Sequence, residues 1–212
     1  MKKYFCLILF LLTTITFSQK FEFDFVTEYV TTLPDNDRTT TTYSNSKNSN
    51  HLFLIYQNGN KRSGFLYDLE YKKIHEFKVT SSKENGKIMY AFKYKKSSKI
   101  KSSYFENSKN DKYEFTELEN NSVFKTVLLK VTRDFNGQIN TYLTEIKIQK
   151  SEANYFPNFR VAALHPWEKI KELDIFENGL VVESVQIRNG ERVYPSKLVH
   201  SEEVELELIV PN

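Results

Sequence analysis

Residues 122–150 read SVFKTVLLKVTRDFNGQINTYLTEIKIQK, and they carry the clearest strand pattern of the chain. Asn136-Gly137 lies at its centre, and apolar and polar side chains alternate on both sides. Asn-Gly supplies two residues that tolerate positive φ, as the tight turn of a β-hairpin requires. Alternation with a period of two places the apolar side chains on one face of each strand. The stretch therefore predicts a long antiparallel hairpin.

The same dipeptide recurs along the chain. Five of the six glycines follow an asparagine, at positions 59, 86, 137, 179 and 190. Alternating segments flank these pairs, which is the companion signal for hairpins. We therefore predict a mainly β protein, an antiparallel meander of about 10–12 strands that forms a curved sheet or an open barrel.

One short helix is predicted over residues 166–176 (PWEKIKELDIF). Pro166 suits the first turn, the following apolar residues have helical spacing, and Asn178-Gly179 can end the helix. Residues 19–212 are predicted to form a single β domain, with a candidate subdomain boundary at 151–165. Residues 34–50 (PDNDRTTTTYSNSKNSN) are polar, which predicts a loop.

Residues 1–18 have the layout of a secretory signal peptide. Lys2 and Lys3 precede the apolar run FCLILFLL, and Thr16 and Ser18 put small residues before a cleavage after Ser18. The apolar run is shorter than the ~20 residues that span a membrane. We predict export to the periplasm, the outer membrane or the exterior, and no transmembrane span in the mature chain.

Composition excludes several classes of function. Aromatic residues make up 15% of the chain, which excludes disorder as the main state. Removing Lys2 and Lys3 leaves 28 of the 30 basic residues against 27 acidic ones, so nucleic acid is not a predicted partner. The only cysteine lies in the signal segment, glycines are too sparse for a phosphate loop, and no two histidines are within five residues. The sequence thus predicts no catalytic residue, no metal site, no cofactor and no enzyme.

Two alternating segments carry most of the candidate binding residues. Residues 21–26 and 87–95 each place large apolar side chains on one strand face. Either the helix and opposite strands fill the space beside them, as in an ordinary core, or a gap remains that a lipid chain can enter. The candidate lining residues are Phe21, Phe23, Phe25, Ile88, Tyr90, Phe92, Tyr94 and, from the predicted helix, Trp167.

The stretch 87–101 (KIMYAFKYKKSSKIK) contains six lysines and no acidic residue. Such a strand can face solvent and resist edge-to-edge pairing. It can also contact anionic lipid headgroups or an acidic polysaccharide. The candidate residues for contact with an anionic surface are Lys93, Lys95, Lys96, Lys99 and Lys101.

The N-terminal region carries a resemblance. A signal segment ends in Phe17-Ser18-Gln19, an alternating strand (KFEFDFVTEYV) follows, and a polar stretch reaches NSKNSN at 45–50 before LYDLEYKKIHEF at 66–77. This layout resembles uncharacterised secreted proteins of Bacteroidetes. Some of these are similar to open half-barrels of the lipoprotein-carrier type, in which a curved antiparallel sheet wraps a short helix and an apolar cavity. The resemblance implies an envelope location and an apolar-ligand role.

These observations predict an exported cell-envelope protein that binds or carries an apolar ligand, either a lipid or an acylated partner. The alternative is a surface or structural interaction module with no small ligand, whose partner is an envelope protein. A third hypothesis, a secreted hydrolase, would gain support if histidine and carboxylate side chains converged in the folded chain.

Overall fold

The computed structural model describes residues 18–58, 61–84, 87–103, 108–135, 137–163 and 178–211. The predicted helix at 166–176, including Trp167, lies outside these residues. A short helix, α1, is found at Phe156–Ala163, within the segment predicted as a candidate subdomain boundary. The strands are β1 (Gln19–Thr32), β2 (Asp37–Asn45), β3 (Asn48–Asn58), β4 (Lys61–Asp68), β5 (Lys73–Glu84), β6 (Lys87–Lys99), β7 (Lys112–Asn120), β8 (Phe124–Phe135), β9 (Gln138–Lys150), β10 (Gly179–Arg188) and β11 (Glu191–Val210).

All eleven strands form one sheet, in the order β6-β5-β4-β3-β2-β1-β11-β10-β9-β8-β7. Strand β1 lies in the middle of the sheet, and the strands after it meander outward to the edge at β6. The chain resumes at the opposite edge with β7 and returns until β11 pairs with β1. The predicted antiparallel meander is confirmed, and the sheet is open rather than closed into a barrel.

In the described part of the chain, two of the five predicted Asn-Gly turns, at 190 and 137, lie between paired strands, whereas Gly179 is the first residue of β10 and pairs with Lys150. Arg188 pairs with Glu191, and between them Asn189 and Gly190 have φ angles of 53° and 82°. Both angles are positive, as a type I′ turn requires. Gly137, at the β8–β9 connection, has a φ of 83°.

The prediction of a loop over 34–50 is wrong. Residues 37–45 form β2, which pairs with both β1 and β3. Thr40 and Thr42 are almost completely buried. Threonine is β-branched and favours strands, and its side chain tolerates a half-buried sheet surface. The polar composition therefore concealed a central strand.

Buried apolar side chains of the described residues form three cores. The first two lie on opposite faces of the sheet, and the third contains Leu52, Leu54, Tyr67 and Ile100. Val26 belongs to the first core and Tyr29 to the second, and β1 pairs regularly with β2 from Phe25 to Thr32. Residues of opposite parity on a regular strand point to opposite faces. The first core joins β1–β5 and the C-terminal part of β11, with β6 packed against it. The second joins β8–β10, Tyr29 and α1.

Helix α1 is attached to the face that carries the second core. The Phe159 ring lies edge-on to Tyr29, with centroids 5.8 Å apart, and Asn158 Nδ2 donates to the Thr42 carbonyl at 3.3 Å. Within the described residues, the protein has no helix of the length and apolarity needed to cross a membrane.

Candidate functional site

The predicted aromatic lining is packed ring against ring. Phe53 lies at the centre of the first core, and the centroid of Phe92 is 5.0 Å from it at 90°. Phe23 and Phe77 lie 6.1 and 5.6 Å from the same ring. Phe21, Phe23, Tyr90, Phe92 and Tyr94 all belong to this core or pack against it. A ligand bound here would have to displace at least one of these rings.

Phe25 does not share a face with Phe21 and Phe23. The pairing of β1 with β11 changes register between Phe23 and Phe25, so the alternation is interrupted there. Val26 joins the first core instead, while the Phe25 ring stacks on Tyr155 with centroids 3.8 Å apart. The prediction that all three phenylalanines line one surface is corrected for Phe25. The side chain of Ile88 lies outside the described part of the chain.

The predicted lysines divide into two groups. Lys95 and Lys96 both contact the Glu76 carboxylate, the second at 3.5 Å. The hydrogen bond from Lys95 holds the pKa of Glu76 below its usual range. Lys93 is directly opposite Lys78 in the β5–β6 pair. These three lysines lie along the middle of β6, away from Lys99 and Lys101.

Lys99 and Lys101 belong to a basic cluster at one end of the sheet. The Ile100 amide donates to the Lys72 carbonyl at 2.8 Å, which joins the end of β6 to the β4–β5 turn. Lys73 is directly opposite Lys99. Tyr71, in the same turn, is 59% exposed. We call this cluster the basic tip, and it comprises Tyr71, Lys72, Lys73, Lys99 and Lys101.

A polar cluster missed by sequence analysis lies beside the basic tip. The Nδ1 atom of His75 is 2.6 Å from Ser97 Oγ, and its Nε2 atom is 3.8 Å from Asp68 Oδ2. The Tyr94 and Ser97 hydroxyls share a hydrogen bond of 2.8 Å. We call Asp68, His75, Ser97 and Tyr94 the His75 cluster. Its members come from three strands, so no local motif could have revealed it.

Burial sets the protonation state of the His75 cluster. The side chains of His75 and Asp68 are only 1% and 3% exposed, whereas Ser97 is exposed. Burial lowers the pKa of His75, an effect that Lys73 reinforces and that nearby Asp68 opposes. Among the described residues, neither His75 Nε2 nor Asp68 Oδ2 has a hydrogen-bond partner. The imidazole is therefore a neutral base near pH 7.

His51 and His75 both contact the Phe21 ring, but His51 has a different role. Its Nε2 atom is 3.0 Å from the Glu22 carbonyl oxygen, and its ring packs edge-on against Phe21 and Phe23. This contact joins β3 to β1 within the first core. The part of the chain that the structure describes contains no group of three or more His, Cys, Asp and Glu residues suited to a metal ion.

Three surface clefts lie away from the predicted lining. The largest, about 450 Å³, is bordered by Asp24, Tyr155 and Glu203. A second, about 350 Å³, lies along β8–β11, where Arg192 binds Glu145 through two hydrogen bonds of 2.8 and 3.1 Å. A third, about 200 Å³, lies beside Phe159. None of the predicted lining residues borders these three clefts.

No family model matches this chain, and no curated protein or solved structure matches it either.

Proposed function

We propose that this protein is exported to the cell envelope and binds the surface of an anionic lipid membrane through the basic tip. The observation that carries the proposal is the combination of an exposed Tyr71 with four lysines from two chain segments. The N-terminal charged, apolar and small-residue zones support the export part of the proposal.

The arrangement of the lysines in the basic tip lowers the stability of the sheet. Like charges directly opposite each other in a strand pair are destabilising, and Lys73 and Lys99 are such a pair. An anionic surface would relieve this repulsion when the protein binds. Each lysine close to an anionic bilayer contributes about 1 kcal/mol to binding. Four lysines at one end of the sheet therefore supply a substantial attraction.

Tyr71 favours a lipid surface over other polyanions. Tyrosine is enriched where a membrane meets water, because its ring is apolar and its hydroxyl is polar. The exposed Tyr71 side chain lies in the same turn as Lys72 and precedes Lys73 by two positions. The ring can therefore enter the headgroup layer while the lysines contact phosphate groups.

Vesicle sedimentation tests this proposal. Vesicles containing phosphatidylglycerol should bind the protein, and vesicles of phosphatidylcholine alone should not. The double variant Lys73→Gln/Lys99→Gln should weaken binding by about 2 kcal/mol, roughly 30-fold. The matched control is Lys78→Gln/Lys93→Gln, which removes the same charge from another directly opposed pair on the same two strands. At about 0.1 M salt, screening should leave the control close to the parent protein.

Two results would contradict membrane binding. Equal binding to charged and neutral vesicles would remove the electrostatic basis of the proposal. Tight binding to an acidic polysaccharide without binding to phosphatidylglycerol vesicles would assign the basic tip to a polysaccharide instead.

The apolar ligand predicted from the sequence stays a prediction. Saturable binding of a fluorescent fatty acid that is lost in Phe92→Glu would support it. Phe92 is the residue to change because it is half-buried on the edge strand and its ring contacts Phe53. Absence of saturable binding by the parent protein would favour the alternative, an interaction module with no small ligand.

A further inference from the structure

We propose that Ser97 is the nucleophile of an ester-hydrolysing site, with His75 as its general base and Asp68 as a positioning residue. The class of natural substrate, an acyl ester with an anionic headgroup, rests on the membrane binding proposed above. The assignment of Ser97 as the nucleophile does not depend on membrane binding. The proposal departs from the sequence prediction of no enzyme, which relied on the absence of local motifs.

The geometry has the order nucleophile, base and carboxylate. Ser97 Oγ lies 2.6 Å from His75 Nδ1, and Asp68 Oδ2 lies 3.8 Å from the other ring nitrogen. A serine hydroxyl becomes a nucleophile when a neighbouring base accepts its proton, and a carboxylate orients and stabilises that base. Catalytic hydrogen bonds are often long before substrate binds, so 3.8 Å is compatible with this role.

The cluster combines a buried base with an accessible nucleophile. His75 and Asp68 are shielded from water, while Ser97 is on the edge strand β6 and is exposed. Because the imidazole is neutral near pH 7, it can accept a proton there. Asp68 Oδ1 also accepts a hydrogen bond from the Tyr71 amide at 3.1 Å. The carboxylate therefore links the cluster to the turn that carries the basic tip.

Two lysines flank the reacting pair on the same face. Ser97 is directly opposite His75, and Lys99 is directly opposite Lys73, two positions further along each strand without a change of register. Residues two apart on a strand share a face. The ammonium groups of Lys73 and Lys99 are thus placed to attract an anionic headgroup and the negative charge that develops on an ester oxygen.

The reaction has two steps. Ser97 Oγ attacks the ester carbonyl carbon while its proton passes to His75 Nδ1. The ester C–O bond then breaks, the leaving alkoxide takes that proton, and the acyl group stays on Ser97. Water attacks the acyl-serine with His75 again accepting a proton, which returns to Ser97 Oγ as the carboxylic acid leaves. Asp68 stabilises the protonated imidazole in both steps.

An alkyl fluorophosphonate tests the nucleophile directly, because Ser97 Oγ would displace fluoride and form a stable bond to phosphorus. The purified protein should take up one label, and peptide mass spectrometry should place it on Ser97. Ser97→Ala should abolish labelling. Ser98→Ala is the matched control, since Ser98 is exposed and pairs with Ile74 on the opposite face, and it should label at the parent rate.

Substitutions of His75 and Asp68 should change the labelling reaction in different ways. His75→Gln should slow labelling at least tenfold, since the hydroxyl loses its proton acceptor. In Asp68→Asn the imidazole loses its anionic neighbour, so its pKa falls. The labelling rate should then reach half its plateau at a lower pH than in the parent protein. A variant that only disturbed folding would lose labelling without moving this midpoint.

The outcomes separate this proposal from membrane binding. The probe is soluble, so labelling of Ser97 should proceed in solution without vesicles, whatever the result of vesicle sedimentation. Absence of labelling in the folded parent protein overturns the assignment, as does a label that persists in Ser97→Ala. Equal labelling of native and heat-unfolded protein overturns it too, because the cluster exists only in the folded chain.

Discussion

The ring of Phe53 occupies the space that a side chain on Gly64 would need. A Cβ atom on Gly64 would lie 2.6 Å from Cζ and 2.7 Å from Cε2 of Phe53. Gly64 is buried in β4, directly opposite Ile55 on one side and Phe77 on the other. Since Phe53 is the ring that the other aromatics of the first core surround, this glycine sets how closely β4 and the core can pack.

Gly64→Ala should therefore destabilise the protein by about 1–3 kcal/mol, because the new methyl group forces the Phe53 ring aside. Urea unfolding measures the change. The double variant Phe53→Leu/Gly64→Ala should cost less than the sum of its two single variants, since leucine lacks the two ring atoms that would clash. Additive costs would show that the clash is relieved by the backbone and not by the ring.

Tyr29→Phe should lower the free energy of unfolding by about 1–2 kcal/mol. The Tyr29 hydroxyl is fully buried and donates to the Val181 carbonyl at 2.7 Å, joining β1 to β10 across the second core. Burial raises the pKa of this hydroxyl, so it remains a donor across the physiological range. Tyr71→Phe is the matched control, because Tyr71 is exposed, and it should leave stability unchanged. Equal effects in the two variants would contradict this role of the hydroxyl.

Stability should fall as the pH drops below about 6.5, the ordinary pKa of a histidine. Burial lowers the pKa of His75 in the folded protein, so between the two pKa values the unfolded chain binds a proton that the native chain does not. Unfolding in urea at several pH values from about 8 to 5 measures this loss. His75→Gln should reduce the slope in that window. A native state that gains stability from pH 7 to pH 5 would contradict the assignment.

The mature protein should begin at Gln19. The charged, apolar and small-residue zones of residues 1–18 place the cleavage after Ser18. Intact-mass analysis of the protein recovered from its native host measures the N-terminus. A species that retains residues 1–18 would contradict export with cleavage, and a Ser18→Leu variant should accumulate uncleaved because the position before the cut needs a small residue.

Local sequence patterns predicted most of the strands and some of their turns. Alternation with a period of two and Asn-Gly pairs are local properties, and they sufficed to predict an antiparallel meander. Helix α1 at Phe156–Ala163 was not predicted. Amino-acid composition predicted secondary structure less well than these patterns did. The polar run 34–50 contains β2. Threonine is polar, as loop residues often are, but it is also β-branched and therefore favours strands.

Which side chains contact each other depends on the tertiary structure. The register change after Phe23 moves Phe25 to the opposite face, and such an irregularity depends on the partner strand β11. His75 and Ser97 become neighbours because β5 and β6 pair in one register, while Asp68 comes from β4. Local patterns predict which faces of a strand are apolar or charged. The register between strands decides which residues lie opposite each other, and that register is set by the packing of the whole sheet.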